Sequence, residues 1–501
     1  MSTATDKSHG GLLWVAGAIL VLIAVRFVAA GLIALSPDET YYLSWSRFPA
    51  WSYYDHPPMV AWWIAAGAAL FGENPFGVRF FTVLSAIPTS VALYFAGKVL
   101  FDREVGALAV LWINATLLIG VGGISATPDA PAVMFWTFSV LAFALVARTG
   151  NGAWWLAVGA AAGFGIASKL TDLFLGLGIL LALAATRDLR RWLVSPWLWA
   201  GGIVAALVFL PVFLWNANHD WITFAKQFGR LTAGTLRLEK FPEFILTQFA
   251  VLNPLIAIFA GLAAVMWIRR ERRYPVDGIG LLMWTVLPLV AYMAVHSFHE
   301  QIQGHWLAPI FPTLALIAAA AAVAAPPERW ARGRALVFPV GVALSLLGLI
   351  GAANPGGIIP PWLDAGQIIR GWDEVASDAD ALRRSAGAAW IGTDYYGAVG
   401  ELQYHLRSKG VPVIGIAERQ RYDYAPPPDP ALLAAPVLIL TRNARPEAFS
   451  PCFANVEKIG TVARRSGTAT IQTFTAYRAT AANPTAFDPG CDRLAQPSAA
   501  N

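Results

Sequence analysis

The chain has 501 residues, of which 57% are hydrophobic and only 13% charged, and its mean hydropathy is +0.54. Soluble domains carry about 25% charged residues, so the composition excludes an ordinary soluble protein for most of the length. The formal net charge of +5 is read as Lys and Arg in cytoplasmic loops rather than as a nucleic-acid surface, and no nucleic-acid partner is expected.

Lys7 precedes an apolar run from Gly11 to Leu35. The run exceeds the about 7–15 residues of a signal-peptide core and no small-residue cleavage site follows, so an uncleaved first span is expected. A span needs about 20 mainly apolar residues. Further runs fall near 78–100, 105–126, 131–148, 153–168, 171–186, 197–215, 244–268, 278–296, 306–325 and 333–353, so roughly eleven spans are expected. The fifth and sixth runs are short and form the least distinct pair.

Loop charges orient the spans. With the N-terminus inside, the cytoplasmic connections hold Lys98, Arg103, Arg148, Arg187, Arg190, Arg191, Arg269, Arg270, Arg272, Arg273, Arg329, Arg332 and Arg334. The opposite loops are poorer in basic residues, apart from Lys226, Arg230, Arg237 and Lys240. This asymmetry is the positive-inside pattern. Merging spans five and six would turn the RRERR run outward, so they are kept separate. The 21 Trp suit membrane interfaces.

Two domains are expected: a transmembrane domain over 1–355 and a soluble extracytoplasmic α/β domain over 356–501. In the second, helices are expected near 372–386 and 397–408. AAWIGT, VPVIGI and PVLILT read as strands, and 468–478 alternates as an edge strand does. APPPDP at 425–430 is a rigid loop. Cys452 and Cys491 are the only cysteines; outside the cytoplasm they could form a disulfide, and two free thiols are the other reading.

On this topology Asp38, Glu39, Asp55, His56, Asp129, Lys169, His219, Asp220, His296, His299, Glu300 and His305 fall on the extracytoplasmic face. Ionisable groups at a membrane boundary are costly unless they line a wet cavity, so the set points to a site. Asp38 and Glu39 follow Ser36 and Pro37, a sequence that a capped helix start explains by itself. The same acids at a cavity mouth suit a carboxylate general base. In YYDHPPM, Pro57 and Pro58 stiffen the turn that carries Asp55 and His56. TPDAP places Asp129 in a tight turn, where Asp between prolines is also ordinary turn chemistry. Lys169 suits a lipid phosphate, or a lysine reaching to the interface. His296, His299 and Glu300 lie within helical reach, and a divalent metal there is a secondary reading beside phosphate or sugar binding. No phosphate loop or nucleophile elbow appears.

SPDETYY, YYDHPPM, TPDAP, SKLTD and GHWLAP, in that order, make the chain resemble the bacterial membrane glycosyltransferases related to protein O-mannosyltransferases and the lipid A aminoarabinose transferase. The resemblance implies a GT-C fold: a polytopic α-helical membrane protein with a small C-terminal α/β domain. It implies a polyprenyl-phosphate-linked sugar donor, a lipid, glycan or protein acceptor, membrane lipid neighbours and no cofactor. It implies a multi-pass bacterial inner-membrane location with the C-terminal domain periplasmic.

Residue by residue, the resemblance makes Asp38 the catalytic base and Glu39 its support. Asp129 is the second acid, positioning sugar or acceptor, and Tyr42 and Tyr54 line the cavity. His56 stands where the aminoarabinose transferases carry a donor-binding Lys, so Lys169 or His305 is expected to supply the missing charge. A polytopic transporter is the alternative from another class; it would place its ionisable groups near the membrane midplane on broken helices.

Overall fold

The computed structural model describes residues 2–229, 236–270, 277–353, 365–443 and 445–482. Arg230, Arg272, Arg273 and Cys491 lie outside the described residues. In chain order the α-helices are α1 (Ser2–Leu32), α2 (Pro37–Ser46), α3 (Met59–Phe71), α4 (Pro75–Leu84), α5 (Ala86–Leu100), α6 (Arg103–Asn114) and α7 (Leu117–Gly120). Next come α8 (Asp129–Thr149), α9 (Trp154–Ile166), α10 (Leu173–Ala185), α11 (Pro196–Ala217), α12 (Ile222–Phe228), α13 (Lys240–Leu252) and α14 (Pro254–Ile268). They continue with α15 (Gly278–His296), α16 (Phe311–Ala324), α17 (Pro327–Ala353), α18 (Trp372–Ser385), α19 (Tyr396–Leu406) and α20 (Pro430–Ala434). The strands are β1 (Trp390–Thr393), β2 (Val413–Gly415), β3 (Val437–Thr441), β4 (Phe453–Ser466) and β5 (Ala469–Ala482).

Among the described residues seven helices are long and apolar enough to cross a membrane, or up to nine if each of two bent pairs is one span. Two expected spans are interrupted. The run 244–268 is two helices, α13 and α14, meeting at 109°. The break is local chemistry. Asn253 sits at φ 80°, its Oδ1 accepts from the Leu255 N–H at 3.0 Å, and Pro254 starts the next helix. Proline disfavours helical backbone in the residue before it, so α13 ends there. The run 105–126 stops at Asn114, whose side chain accepts from Arg26 at 2.8 Å and donates to Ser90 at 3.1 Å. Thr116 then caps the short α7. At 13 residues each, α3 and α9 are shorter than a full span.

The chain divides into two compact units. The first comprises 1–30, 55–63 and 79–349, and the second 31–54, 64–78 and 350–501. In the first, α9 packs between α8 and α11, and α16 lies against α6 and α14. In the second, a five-stranded sheet runs in the order β2-β1-β3-β5-β4. Strands β2, β1 and β3 are parallel, and β5 is antiparallel to both β3 and β4.

Helices α18 and α19 and the first three strands match the expected pattern: β1 and β3 are buried throughout, and the helices bury one apolar face on them. Strand β5 is central rather than an edge, and β4, not expected, forms the edge. Only three of the fourteen residues of β4 are buried, so it lacks the apolar alternation that reveals a strand. Cys452 is disulfide-bonded.

Candidate active site

In the second unit, Ser36 is extended at the start of α2, with Pro37 at the first helical position. The Ser36 hydroxyl accepts from the Glu39 N–H at 3.3 Å, and the Glu39 carboxylate accepts from the Ser36 N–H at 2.9 Å. This reciprocal cap satisfies donors that a helix start leaves without partners. It occupies Glu39, which is fully buried. Its neighbour Asp38 is half-buried and has no part in the cap; its Oδ1 accepts from the Tyr396 hydroxyl at 2.8 Å. The two acids of SPDETYY therefore do different work.

Helix α19 reaches α2 because Gly397 and Gly400 face it. A Cβ at Gly400 would lie 2.7 Å from the Tyr41 N, and one at Gly397 would lie 2.9 Å from Pro37 Cβ. Arg421, paired with Glu418, lies 4.7 Å from the Tyr54 ring, 4.8 Å from Tyr396 and 5.9 Å from Tyr41. Such cation–π contacts gain strength when desolvated, and Arg421 is buried. Tyr42 is buried against Tyr41 and Trp45. Glu401 of α19 is buried with its Oε2 3.4 Å from His405 Nε2. Burial pushes its carboxyl up to about 7; His405 opposes this and the Glu39 charge adds to it.

In the first unit, Asp129 opens α8 and gathers several expected residues. Lys169 Nζ donates to its Oδ1 at 2.6 Å, and the Thr127 hydroxyl donates to its Oδ2 at 3.2 Å. His305 Nε2 lies 3.9 Å from Oδ2, and the His56 charge also acts on this carboxylate. Lys169 stands in extended backbone between α9 and the turn Leu170–Asp172, which directs it inward. The Lys169 and Asp129 side chains are only 6% and 13% exposed. Three basic side chains thus act on one buried acid, and the two histidines among them carry charge only when protonated.

Asp172, in the same SKLTD turn, is buried beside Lys169 and Asp129, and neither of its oxygens has a hydrogen-bond partner. Asp55 is half-buried, and its carbonyl accepts from Gln227 at 2.6 Å.

The secondary metal reading concerns His296, His299 and Glu300. His296 Nε2 lies 3.7 Å from Glu300, but His299 Nδ1 turns back to the Val295 carbonyl at 3.3 Å. Their rings and carboxylate do not converge, and no group of three or more potential ligands does so among the described residues. His296 instead stacks parallel to Tyr292 and packs near Trp306.

Tyr396, Arg421, Thr127 and Asp172 are not among the residues expected from the sequence. The first two act over more than 350 positions, beyond any local pattern. DYYGAVG, with two glycines one helical turn apart, carries the signal for a close helix contact. Asp172 is visible as the last letter of SKLTD.

Residues 55–215 match the dolichyl-phosphate-mannose-protein mannosyltransferase family, a stretch that includes His56, Asp129 and Lys169. The lipid A galacturonosyltransferase RgtD of Rhizobium johnstonii is 28% identical over 383 residues, 74% of this chain and 77% of that protein. The undecaprenyl phosphate-alpha-4-amino-4-deoxy-L-arabinose arabinosyl transferase 1 of Sodalis glossinidius is 28% identical over 342 residues, 60% of this chain and 58% of that one. The crystal structure of ArnT from Cupriavidus metallidurans bound to undecaprenyl phosphate superposes with a TM-score of 0.65, at 16% identity, over 93% of this chain and 98% of that one. The GT-C fold and the resemblance carried by the motifs are thereby shown. The transporter alternative has no support among them.

Proposed function

We propose that this multi-pass membrane glycosyltransferase of the GT-C fold, dependent on a polyprenyl-phosphate sugar, glycosylates a lipid A-type glycolipid with inversion at the anomeric carbon. The acceptor class is suggested by the relative that acts on lipid A, and the donor by the undecaprenyl phosphate of the second relative and of the crystal structure. The observation that carries the reading is the buried Lys169–Asp129 pair, with His305 and His56 acting on the same carboxylate from less buried positions. Cations held in place by a buried carboxylate suit a departing phosphate, whose charge grows as the glycosidic bond breaks.

The chemistry needs little else. The acceptor hydroxyl attacks the anomeric carbon and passes its proton to Asp38. The bond to the phosphate oxygen breaks, and the electron pair leaves with polyprenyl phosphate. A phosphate is already a good leaving group, so one base and several cations suffice. Glu39 supports Asp38 by fixing the helix start on which it stands. Tyr42 and Tyr54 shape its surroundings; Asp55 is assigned to substrate contacts for its place on the proline-stiffened turn, and His296 for hydrogen bonding to phosphate or sugar.

The reaction face is assigned to the periplasm, with the N-terminus cytoplasmic and the α/β portion outside. The loop charges and the disulfide at Cys452 support this, since structural disulfides persist in oxidising compartments. The test is reconstitution in proteoliposomes with undecaprenyl-phosphate-linked 4-amino-4-deoxy-L-arabinose or galacturonic acid, and lipid A. Formation of glycosylated lipid A with release of undecaprenyl phosphate is expected. Translocation of the intact donor without transfer would refute the reading.

A further inference from the structure

We propose that Tyr396 is a positioning residue for Asp38, so that the α/β portion holds the catalytic base in its ionised form and in one orientation. The proposal rests on the reading of Asp38 as the base, and deepens it. The Tyr396 hydroxyl donates to Asp38 Oδ1 at 2.8 Å, joining residues 358 positions apart. A hydrogen bond to a carboxylate is charge-assisted and stronger than one between neutral groups. It favours the ionised form, which is the form a base must have.

Two features keep the hydroxyl in place. Tyr396 is the first residue of α19, two residues beyond the end of β1, and Asp394 next to that strand end accepts from the Thr441 hydroxyl at 2.6 Å at the end of β3. Helix α19 then lies on α2 through Gly397 and Gly400, with no room for a Cβ at either. The phenol thus approaches Asp38 from a packed element rather than from a loop. Arg421 lies 4.8 Å from the face of the Tyr396 ring. A cation over a phenol draws electron density from it, which makes its hydroxyl a better donor.

The titratable and charged groups on α2 and on the segments packed against it come from three directions. On its own helix stands Glu39, tied into the cap. From α19 and its start come Tyr395, Tyr396, Glu401, His405 and Arg407, with Tyr395 feeling the Asp38 charge. From the segment after β2 come Glu418, Arg419, Arg421, Tyr422 and Tyr424, the last bonded to Ser44 of α2 at 2.7 Å. Tyr396 bonds the carboxylate directly, so its removal is expected to change the titration of Asp38 more than its packing.

The test is an infrared titration of the full chain in detergent, in which the carboxyl band of Asp38 is isolated by subtracting Asp38→Asn. In Tyr396→Phe the Asp38 midpoint is expected to rise by about one pH unit, the equivalent of a modest charge-assisted bond. Replacing Tyr396 by 3-fluorotyrosine, whose hydroxyl is more acidic, keeps the shape and is expected to move the midpoint down. An Asp38 midpoint unchanged in both proteins would overturn the proposal. Sugar transfer by Asp38→Asn tests the base assignment separately, so failure of one reading is distinguishable from failure of the other.

Discussion

Replacing Lys169 by Met probes the cluster on Asp129 most sharply. The Lys169 ammonium lies 2.6 Å from Asp129 Oδ1, both side chains are nearly inaccessible, and Asp172 is buried beside them. Removing the cation strands at least one carboxylate. Breaking a buried ion pair from one side costs about 3–5 kcal/mol, because the remaining charge has lost both water and partner. Thr127 and His305 still contact Asp129, so the lower end, about 3 kcal/mol, is expected for Lys169→Met. Asp129→Asn is expected to cost less, since Lys169 retains Asp172 as an acidic neighbour.

The double variant, with neither charge, is expected to recover about 2 kcal/mol relative to the sum of the singles. Steric trapping in bicelles measures all three free energies. A loss below about 1 kcal/mol for Lys169→Met, or strict additivity in the cycle, would refute the reasoning. Lys169→Arg keeps the charge and separates stability from donor affinity.

Three further outcomes follow from the same geometry. Glu401 is raised in the folded chain to about 7 from 4.5, so it binds a proton between those values when folded and not when unfolded. Its contribution is full below about pH 4.5 and lost as pH rises through about 7; Glu401→Gln should remove a pH dependence on the order of 3 kcal/mol between pH 5 and 8. A denaturation series in which both proteins respond equally to pH would contradict this. Gly400→Val brings a side chain to 2.7 Å from the Tyr41 backbone, and should cost about 1–3 kcal/mol through overpacking, seen as faster proteolysis after α19. Transfer should persist in EDTA and in His299→Ala, because His299 is turned toward Val295; loss of activity on chelation, restored by a divalent metal, would reopen the metal reading.

The membrane architecture was legible because uninterrupted apolar runs leave few alternatives to a span. Where the runs broke, the cause was a single polar residue with tertiary partners. Asn114 and Asn253 each bond groups on other helices, and no periodicity records that. The sequence allowed a capped helix or a catalytic acid at SPDETYY: Glu39 makes the cap, and Asp38 bonds Tyr396, with its role as base a proposal. Asp129, Lys169, His305 and His56 were expected to share a face and do converge. Tyr396 and Arg421 were hidden because the packing of α19 on α2 creates their neighbourhood. Strand β4 was hidden because only three of its fourteen residues are buried.

The central claim is that Asp38 takes the acceptor proton during sugar transfer from a polyprenyl-phosphate donor. The direct measurement is single-turnover release of undecaprenyl phosphate by Asp38→Asn, an isosteric change that retains a hydrogen-bonding partner for Tyr396. A fall of about 10²–10⁴-fold, the contribution of a positioned general base, with donor binding preserved, is the predicted result. Turnover at the wild-type rate would contradict it.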